Sequence, residues 1–186
     1  NSGNLLKTFL RTIGMTVFTT FAPAMKLTDL YSFRMKAIIY FSTKNYFDLY
    51  GKHWNKHKLL TKKEQKVIQL LNPAEIDNKY TTLSKYQFSL CFENCIYNGY
   101  ITEKIFDCFF SKSIPIYLGA PDIDQYIPKN TFIDMRNFTT FKELDIFLEH
   151  LSEEKISEYL HNIERYLNSV DFLKFTDQKF AQKLFD

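Results

Sequence analysis

A short stretch of the sequence carries acidic, amide and basic side chains in close succession. Glu93 and Asn94 follow an apolar run, an Asn-Gly dipeptide typical of a tight loop comes next, and Glu103 and Lys104 open a helical pattern. The first N–H groups of a helix are unpaired and carry partial positive charge, so they stabilise an anion such as a phosphate. Lys104 adds a full positive charge there, against the usual preference for carboxylates in a first turn. The pattern therefore indicates a site for an anionic ligand.

The residues around this stretch predict a strand, a helix and a second strand that position it. Residues 86–92 alternate large apolar side chains with smaller or polar ones, which is typical of a strand. Residues 101–110 have the apolar spacing of a helix, and Ile114–Leu118 is a short apolar strand pattern ended by Gly119. A parallel crossover of this kind brings the end of the first strand to the start of the helix, where open α/β sheets bind ligands.

Strand and helix patterns also alternate along the rest of the chain. They predict an α/β fold with a doubly wound, mostly parallel sheet in a single domain over residues 1–186. The other expected strands are residues 15–21, 47–51 and 131–135. The other expected helices are one capped by Thr28 that runs to Phe41, two that follow the capping boxes Thr61–Glu64 and Thr140–Glu143, and a last long one capped by Ser152. Residues 77–84 are expected to form a polar connector.

Several of these motifs closely resemble the donor-binding region of the α1,3/4-fucosyltransferases of glycosyltransferase family 10. The resemblance rests on Phe-Glu-Asn at 92–94, Gly-Tyr-Ile-Thr-Glu-Lys at 99–104 and Ile-Pro-Ile-Tyr-Leu-Gly at 114–119. It implies a GT-B type glycosyltransferase, in which two Rossmann-like domains face each other. By this resemblance the chain is the C-terminal, GDP-fucose-binding domain, and the N-terminal acceptor domain of the family is absent from this chain.

The resemblance also implies an activity and the residues that carry it. The activity is inverting transfer of fucose from GDP-fucose to a glycan acceptor containing N-acetylglucosamine, in α1,3 or α1,4 linkage, with no cofactor and no metal required. The implied GDP-fucose-binding residues are Arg34, Asn94, Tyr100, Glu103 and Lys104. Arg34 and Lys104 would stabilise the negative charge that grows on the diphosphate, and Glu103 would act beside the sugar as the catalytic side chain. Two plainer interpretations stay open: a solvated helix arginine for Arg34 and an ordinary first-turn glutamate for Glu103.

Inverting transfer also needs a base that takes the proton from the acceptor hydroxyl. In the resembled family this carboxylate comes from the N-terminal domain, and Glu93 is expected to be held by local hydrogen bonds instead. We therefore expect weak catalysis or none from this chain alone. One alternative is a nucleotide-sugar-binding module without catalysis. Another is a nucleic-acid-binding protein whose aromatic side chains stack on bases, but those aromatics fall on core-facing stripes, which disfavours it.

Three other features look like metal or redox sites but favour structural roles. Asp122 and Asp124 form an Asp-x-Asp pair, which other glycosyltransferases use to hold a divalent metal, yet here they are expected to begin a short helix. His53 and His57 lie four residues apart without a third ligand nearby, which favours a surface pair. The three cysteines lack C-x-x-C spacing and are expected to be free thiols.

Composition and charge restrict the class of protein. The 186 residues are 45% hydrophobic, enough for one domain to bury a core, and the net charge of +3 suits anionic ligands without demanding nucleic acid. No apolar span of about 18 residues is present, and no leader is evident, so no membrane segment is expected. The lack of a leader and the unpaired thiols favour the cytoplasm of a bacterium, whereas a eukaryotic source would predict the Golgi lumen. The resemblance leaves room for peripheral membrane association of a longer protein.

Overall fold

A parallel sheet forms the centre of the computed structural model, which describes residues 28–51, 54 and 60–175. The strands are β1 (Thr28–Asp29), β2 (Phe88–Phe92), β3 (Cys95–Ile96), β4 (Ile114–Leu118) and β5 (Ile133–Asp134). In the parallel sheet β4 lies between β2 and β5, with Phe88 opposite Ile114 and Ile116 opposite Ile133. β1 and β3 form a separate antiparallel pair. The predicted α/β architecture with a mostly parallel sheet is confirmed within the described residues.

The described ranges contain six helices. They are α1 (Tyr31–Phe41), α2 (Lys62–Leu71), α3 (Lys79–Leu83), α4 (Glu103–Phe110), α5 (Phe141–Glu149) and α6 (Glu153–Leu167). Short 3₁₀ turns span Ile123–Gln125, Lys129–Thr131, Met135–Asn137 and Phe172–Phe175. Among the helices in the described ranges, none combines the length and the apolar character that crossing a bilayer requires.

The core is built around β4, which is buried at every position. Helix side chains share this core, with Ile105 and Phe109 from α4 and Ile156, Ile163 and Tyr166 from α6 all buried. Cys91 and Cys108 are free thiols, as predicted, and both are buried in this core. Because both faces of β4 are covered, its sequence is a continuous apolar run, which is typical of a central parallel strand.

Local signals placed several helix starts correctly. Thr61 and Glu64 form the predicted capping box at α2, and the Ser152 hydroxyl accepts from the Lys155 N–H at the start of α6. At α5 the Thr140 hydroxyl accepts from Glu143, but the Glu143 carboxylate returns to the N–H of Thr139, one residue earlier than predicted. These contacts lie within one turn of the chain, so sequence spacing alone predicts them.

Three expectations were wrong where distant contacts decide the structure. Thr28 does not cap α1, because β1 pairs with β3 and the helix begins after Leu30, whose N–H donates to the Asn94 carbonyl at 3.0 Å. The strand expected at residues 47–51 is reduced to a single bridge between Tyr50 and Ala74. The expected connector at residues 77–84 contains α3, whose first turn is capped by Asn78.

Other boundaries differ by a few residues. β2 begins at Phe88 rather than at residue 86, α4 begins at Glu103 rather than at residue 101, and β5 keeps only Ile133–Asp134 of the expected strand 131–135. The strand expected at residues 15–21 and the histidines His53 and His57 lie outside the described residues.

Candidate functional site

Arg34 lies at the carboxyl end of β2. It stands in the first turn of α1, and its Nη2 donates to the carbonyl oxygens of Phe92 at 3.0 Å and Glu93 at 3.1 Å, and to Oδ1 of Asn94 at 3.4 Å. All three bonds use one nitrogen, and Nε and Nη1 have no partner among the described residues. Arg34 is therefore anchored to the strand end and keeps donors available for a ligand oxygen.

Glu93 follows β2 directly and is fully buried, at 0% exposure. Its Oε1 accepts from the backbone N–H of Thr102 at 2.8 Å, and its Oε2 accepts from the Thr102 hydroxyl at 2.8 Å and from Nζ of Lys104 at 3.0 Å. A buried carboxylate needs such partners because burial without them costs several kcal/mol. The expectation that local hydrogen bonds hold Glu93 is confirmed.

The first turn of α4 brings Lys104 to the same place. The Lys104 ammonium contacts both Glu93 and the Thr102 hydroxyl, each at 3.0 Å, and its side chain remains 29% exposed. Glu93 thus connects two cationic side chains, since its carbonyl binds Arg34 and its carboxylate binds Lys104. The structure brings Arg34, Asn94 and Lys104 together at one strand end, beside the amino end of a helix.

Glu103 and Tyr100 are less closely connected to this cluster. Glu103 is exposed in the first turn of α4, and Tyr100 is half-buried in the preceding loop. Within the described ranges no hydrogen bond joins either side chain to Arg34, Asn94 or Lys104. Glu103 faces another cation instead: the hydrogen bond from Lys79 to Asp107 raises the pKa of Lys79, and the negative charge of Glu103 adds to that shift.

The loop between β3 and α4 is tied by a hydrogen bond to the segment that follows β4. Gly99 has a φ of 70°, and its N–H donates to Oδ1 of Asp122 at 2.8 Å. Asp122 lies in the segment after β4, so this bond ties the loop that carries Tyr100 to the end of the neighbouring strand. Asp124 turns away to an ion pair with Lys129 at 3.0 Å, and the bond from Lys129 lowers the pKa of Asp124.

A second polar cluster fixes α1 from its far end. Asp145 of α5 is 4% exposed and accepts from the Tyr40 hydroxyl at 3.0 Å, from the Tyr46 hydroxyl and from Lys44 at 2.6 Å. Burial raises the pKa of Asp145, but the bonds from Lys44, Tyr46 and Tyr40 outweigh it and leave the pKa below its usual value. This cluster secures the helix whose first turn carries Arg34.

The sequence did not identify Thr102, Asp122 or Asp145 as contributors to these clusters. Thr102 precedes a helix and Asp122 belongs to an Asp-x-Asp pair, so both had visible signals, but their partners are set by the fold. Asp145 lies 105 residues from Tyr40, and no spacing rule connects them.

A cavity of about 630 Å³ lies beside this region but has a different character. Apolar side chains such as Phe47, Phe88 and Leu90 form much of its wall, and of the predicted site residues only Arg34 borders it. An anion is better served by the strand ends, where two cationic side chains and helix N–H groups meet.

Comparison with known proteins identifies similar chains. The family model described as glycosyltransferase family 10 (fucosyltransferase) C-term matches residues 27–183. The α-(1,3)-fucosyltransferase FucT of Helicobacter pylori is 39% identical over 97 residues, which are 52% of this chain and 20% of that protein. The GDP-fucose protein O-fucosyltransferase 3 of Xenopus tropicalis is 33% identical over 88 residues, which are 46% of this chain and 19% of that protein.

A solved structure is also similar. The crystal structure of an α1,3-fucosyltransferase with GDP-fucose shares 38% identity with this chain, covering 48% of this chain and 26% of the other, at a TM-score of 0.42. The chain thus spans about a fifth of the curated relatives just named and about a quarter of this solved chain.

Proposed function

The chain belongs to glycosyltransferase family 10, the fucosyltransferases, and from that premise we propose that it forms the GDP-fucose-binding part of a fucosyltransferase. The observation that carries the proposal is the meeting of Arg34, Asn94 and Lys104 at the carboxyl end of β2, beside the amino end of α4. An anionic diphosphate placed there would receive two charged donors and the partial positive charge of the helix.

The names of the relatives agree on the transfer of fucose, but they do not agree on an acceptor. One is named for an α-(1,3) linkage and the other for fucose transfer to protein, yet both align with a similar small part of their own length. The name of the second one gives GDP-fucose as its donor, and we propose the same donor for this chain. We propose a glycan containing N-acetylglucosamine as the acceptor of the whole protein, with α1,3 or α1,4 linkage.

The chemistry follows from the charges at the strand ends. When the bond from fucose to GDP breaks, negative charge grows on the diphosphate, and preorganised cations stabilise that charge more than they stabilise the ground state. Arg34 and Lys104 are anchored by bonds to the protein, so little reorganisation is needed as the bond breaks. Glu103 stands next to Lys104 in the same turn, and we propose that it contacts the fucose.

The general base is the part of the mechanism that this cluster does not supply. Glu93 is fully buried and already accepts from Thr102 and Lys104, so it has no route to an acceptor hydroxyl. We propose that the base comes from another domain, as the family resemblance implies. The chain alone should bind donor and transfer fucose poorly or not at all.

Calorimetric titration tests the donor assignment. We expect the protein to bind GDP and GDP-fucose in preference to GMP and UDP, and the variant Lys104→Ala to lose about 1.5–3 kcal/mol of that binding free energy. Lys85→Ala is a matched control, because Lys85 is exposed and precedes β2, at the opposite end of that strand from the cluster. Equal binding of all four nucleotides, or equal losses in both variants, would contradict the proposal.

A further inference from the structure

The Glu93 carboxylate is surrounded by donors from one short segment. It accepts from the Thr102 N–H, from the Thr102 hydroxyl and from the Lys104 ammonium, and it has no exposed surface. Thr102 is the residue before α4, and its side chain makes no capping bond to that helix. Its donors are turned toward Glu93 instead, so the strand end fixes the start of the helix.

The same contacts orient the Lys104 ammonium. An ammonium has three N–H donors, and two of them are directed at Glu93 and at the Thr102 hydroxyl, each at 3.0 Å. The third is directed away from these partners, and the side chain is 29% exposed while the Glu93 side chain is fully covered. The ion pair therefore has its negative end inside the protein and its positive end toward solvent at the strand ends.

Glu93 also touches the second cation through its backbone. Its carbonyl oxygen accepts from Nη2 of Arg34 at 3.1 Å, and its own N–H donates to the Leu118 carbonyl of the neighbouring strand at 2.8 Å. One residue thus sets where both cations stand relative to the sheet.

We propose that Glu93 is a positioning residue: it directs the third N–H of Lys104 and the first turn of α4 toward the donor diphosphate. This inference rests on the proposed donor-binding function. Without the carboxylate, the ammonium loses its fixed position and must be ordered each time a nucleotide binds, which weakens the contact. The carboxylate's own repulsion of the diphosphate is small because its charge is compensated by the donors around it.

The test compares nucleotides with and without the diphosphate. We expect Glu93→Gln to weaken GDP binding about tenfold and to leave guanosine binding unchanged, since only the diphosphate uses Lys104. Thr102→Val keeps the backbone N–H but removes the hydroxyl, and we expect about threefold weaker GDP binding from it. Asp107→Asn is the matched control. Asp107 is also a buried acidic residue, and it lies on α4 with Lys104, but it pairs with Lys79.

A structural defect and a positioning effect give different results. If Glu93 acts mainly through Lys104, Glu93→Gln adds much less loss of GDP affinity in a Lys104→Ala background than in the original protein, because only the placement of the first turn of α4 is then left to lose. Unchanged or tighter GDP binding by both Glu93→Gln and Thr102→Val overturns the inference, as does an equal loss for GDP and guanosine. If the unaltered protein binds no GDP, the proposed function fails first, and the two failures are distinct.

Discussion

Gly119 lies directly against the side chain of Glu93. A Cβ built on Gly119 would stand 2.5 Å from Cγ of Glu93 and still closer to the Tyr117 hydroxyl. That hydroxyl accepts from the N–H of Ala120 at 3.0 Å, so it is not free to move aside. The glycine that ends β4 is therefore required by the packing around the buried carboxylate.

We predict that Gly119→Ala lowers the free energy of unfolding by about 1–3 kcal/mol, because the added methyl group overpacks this corner. Urea unfolding followed by circular dichroism measures the change. Gly99→Ala offers a contrast: the nearest atom to a Cβ there is 3.8 Å away, and only its φ of 70° opposes the substitution. It should cost about 1 kcal/mol through backbone strain alone. A Gly119→Ala protein as stable as the original would show that Glu93 can shift.

The buried carboxylate of Asp145 should make stability depend on pH. Its pKa is lowered in the folded protein, so its contribution is present above the pKa of the unfolded chain and is lost as the pH falls through the folded value. We predict that Asp145→Asn costs about 3 kcal/mol near pH 7, because Lys44 and two tyrosine hydroxyls lose a charged acceptor.

Unfolding measured from pH 7 down to pH 3 distinguishes this contribution from the rest. The original protein should lose more stability over that interval than Asp145→Asn does. Asp171→Asn serves as the control, because Asp171 belongs to an exposed pair with Lys174. Parallel pH profiles for the original protein and Asp145→Asn would mean that these contacts do not lower the pKa of Asp145.

Sequence reasoning succeeded where the cause is local. The strand Ile114–Leu118 was predicted at its observed bounds, because it is a short apolar run closed by a glycine that the packing demands. The caps at Thr61 and Ser152 were found because donor and acceptor are three residues apart. Glu93, Glu103 and Lys104 were placed correctly relative to strand and helix for the same reason.

The rest depends on contacts between distant segments. Residues 47–51 have a strand-like sequence, but within the described part of the chain only Tyr50 finds a bridging partner, Ala74. The bond between Gly99 and Asp122 crosses from one loop to another, and the Asp145 cluster joins α1 to α5. Such pairings follow from how the chain closes on itself, which residue spacing does not encode.

The hydrogen bond between Gly99 and Asp122 should contribute to donor affinity, whereas Asp124, the other member of the Asp-x-Asp pair, should not. Asp122→Ala removes a charged acceptor from the loop that carries Tyr100, and we predict roughly fivefold weaker GDP-fucose binding, about 1 kcal/mol. Asp124→Ala breaks only an exposed pair with Lys129 and should leave affinity unchanged. Equal losses in the two variants, reversed by added Mg²⁺, would support a shared metal site instead.

Arg34 provides the strictest test of the geometry at the strand end. Its Nη2 donates to the carbonyls of Phe92 and Glu93. No described residue accepts from Nε or Nη1, so these two nitrogens remain available for a ligand. A lysine has a single nitrogen and cannot anchor to the strand and contact a phosphate with separate groups. We predict that Arg34→Lys weakens GDP binding by about 1.5–3 kcal/mol although the charge is kept.

The matched control for this substitution is Arg165→Lys, since Arg165 lies on α6 and bonds only Asn162 within the described residues. Calorimetry with GDP and guanosine separates a lost phosphate contact from a general disturbance of α1. The phosphate contact predicts a loss for GDP alone. A loss for both ligands would mean that Arg34 serves mainly to hold α1 against β2, and unchanged GDP binding would remove Arg34 from the donor site.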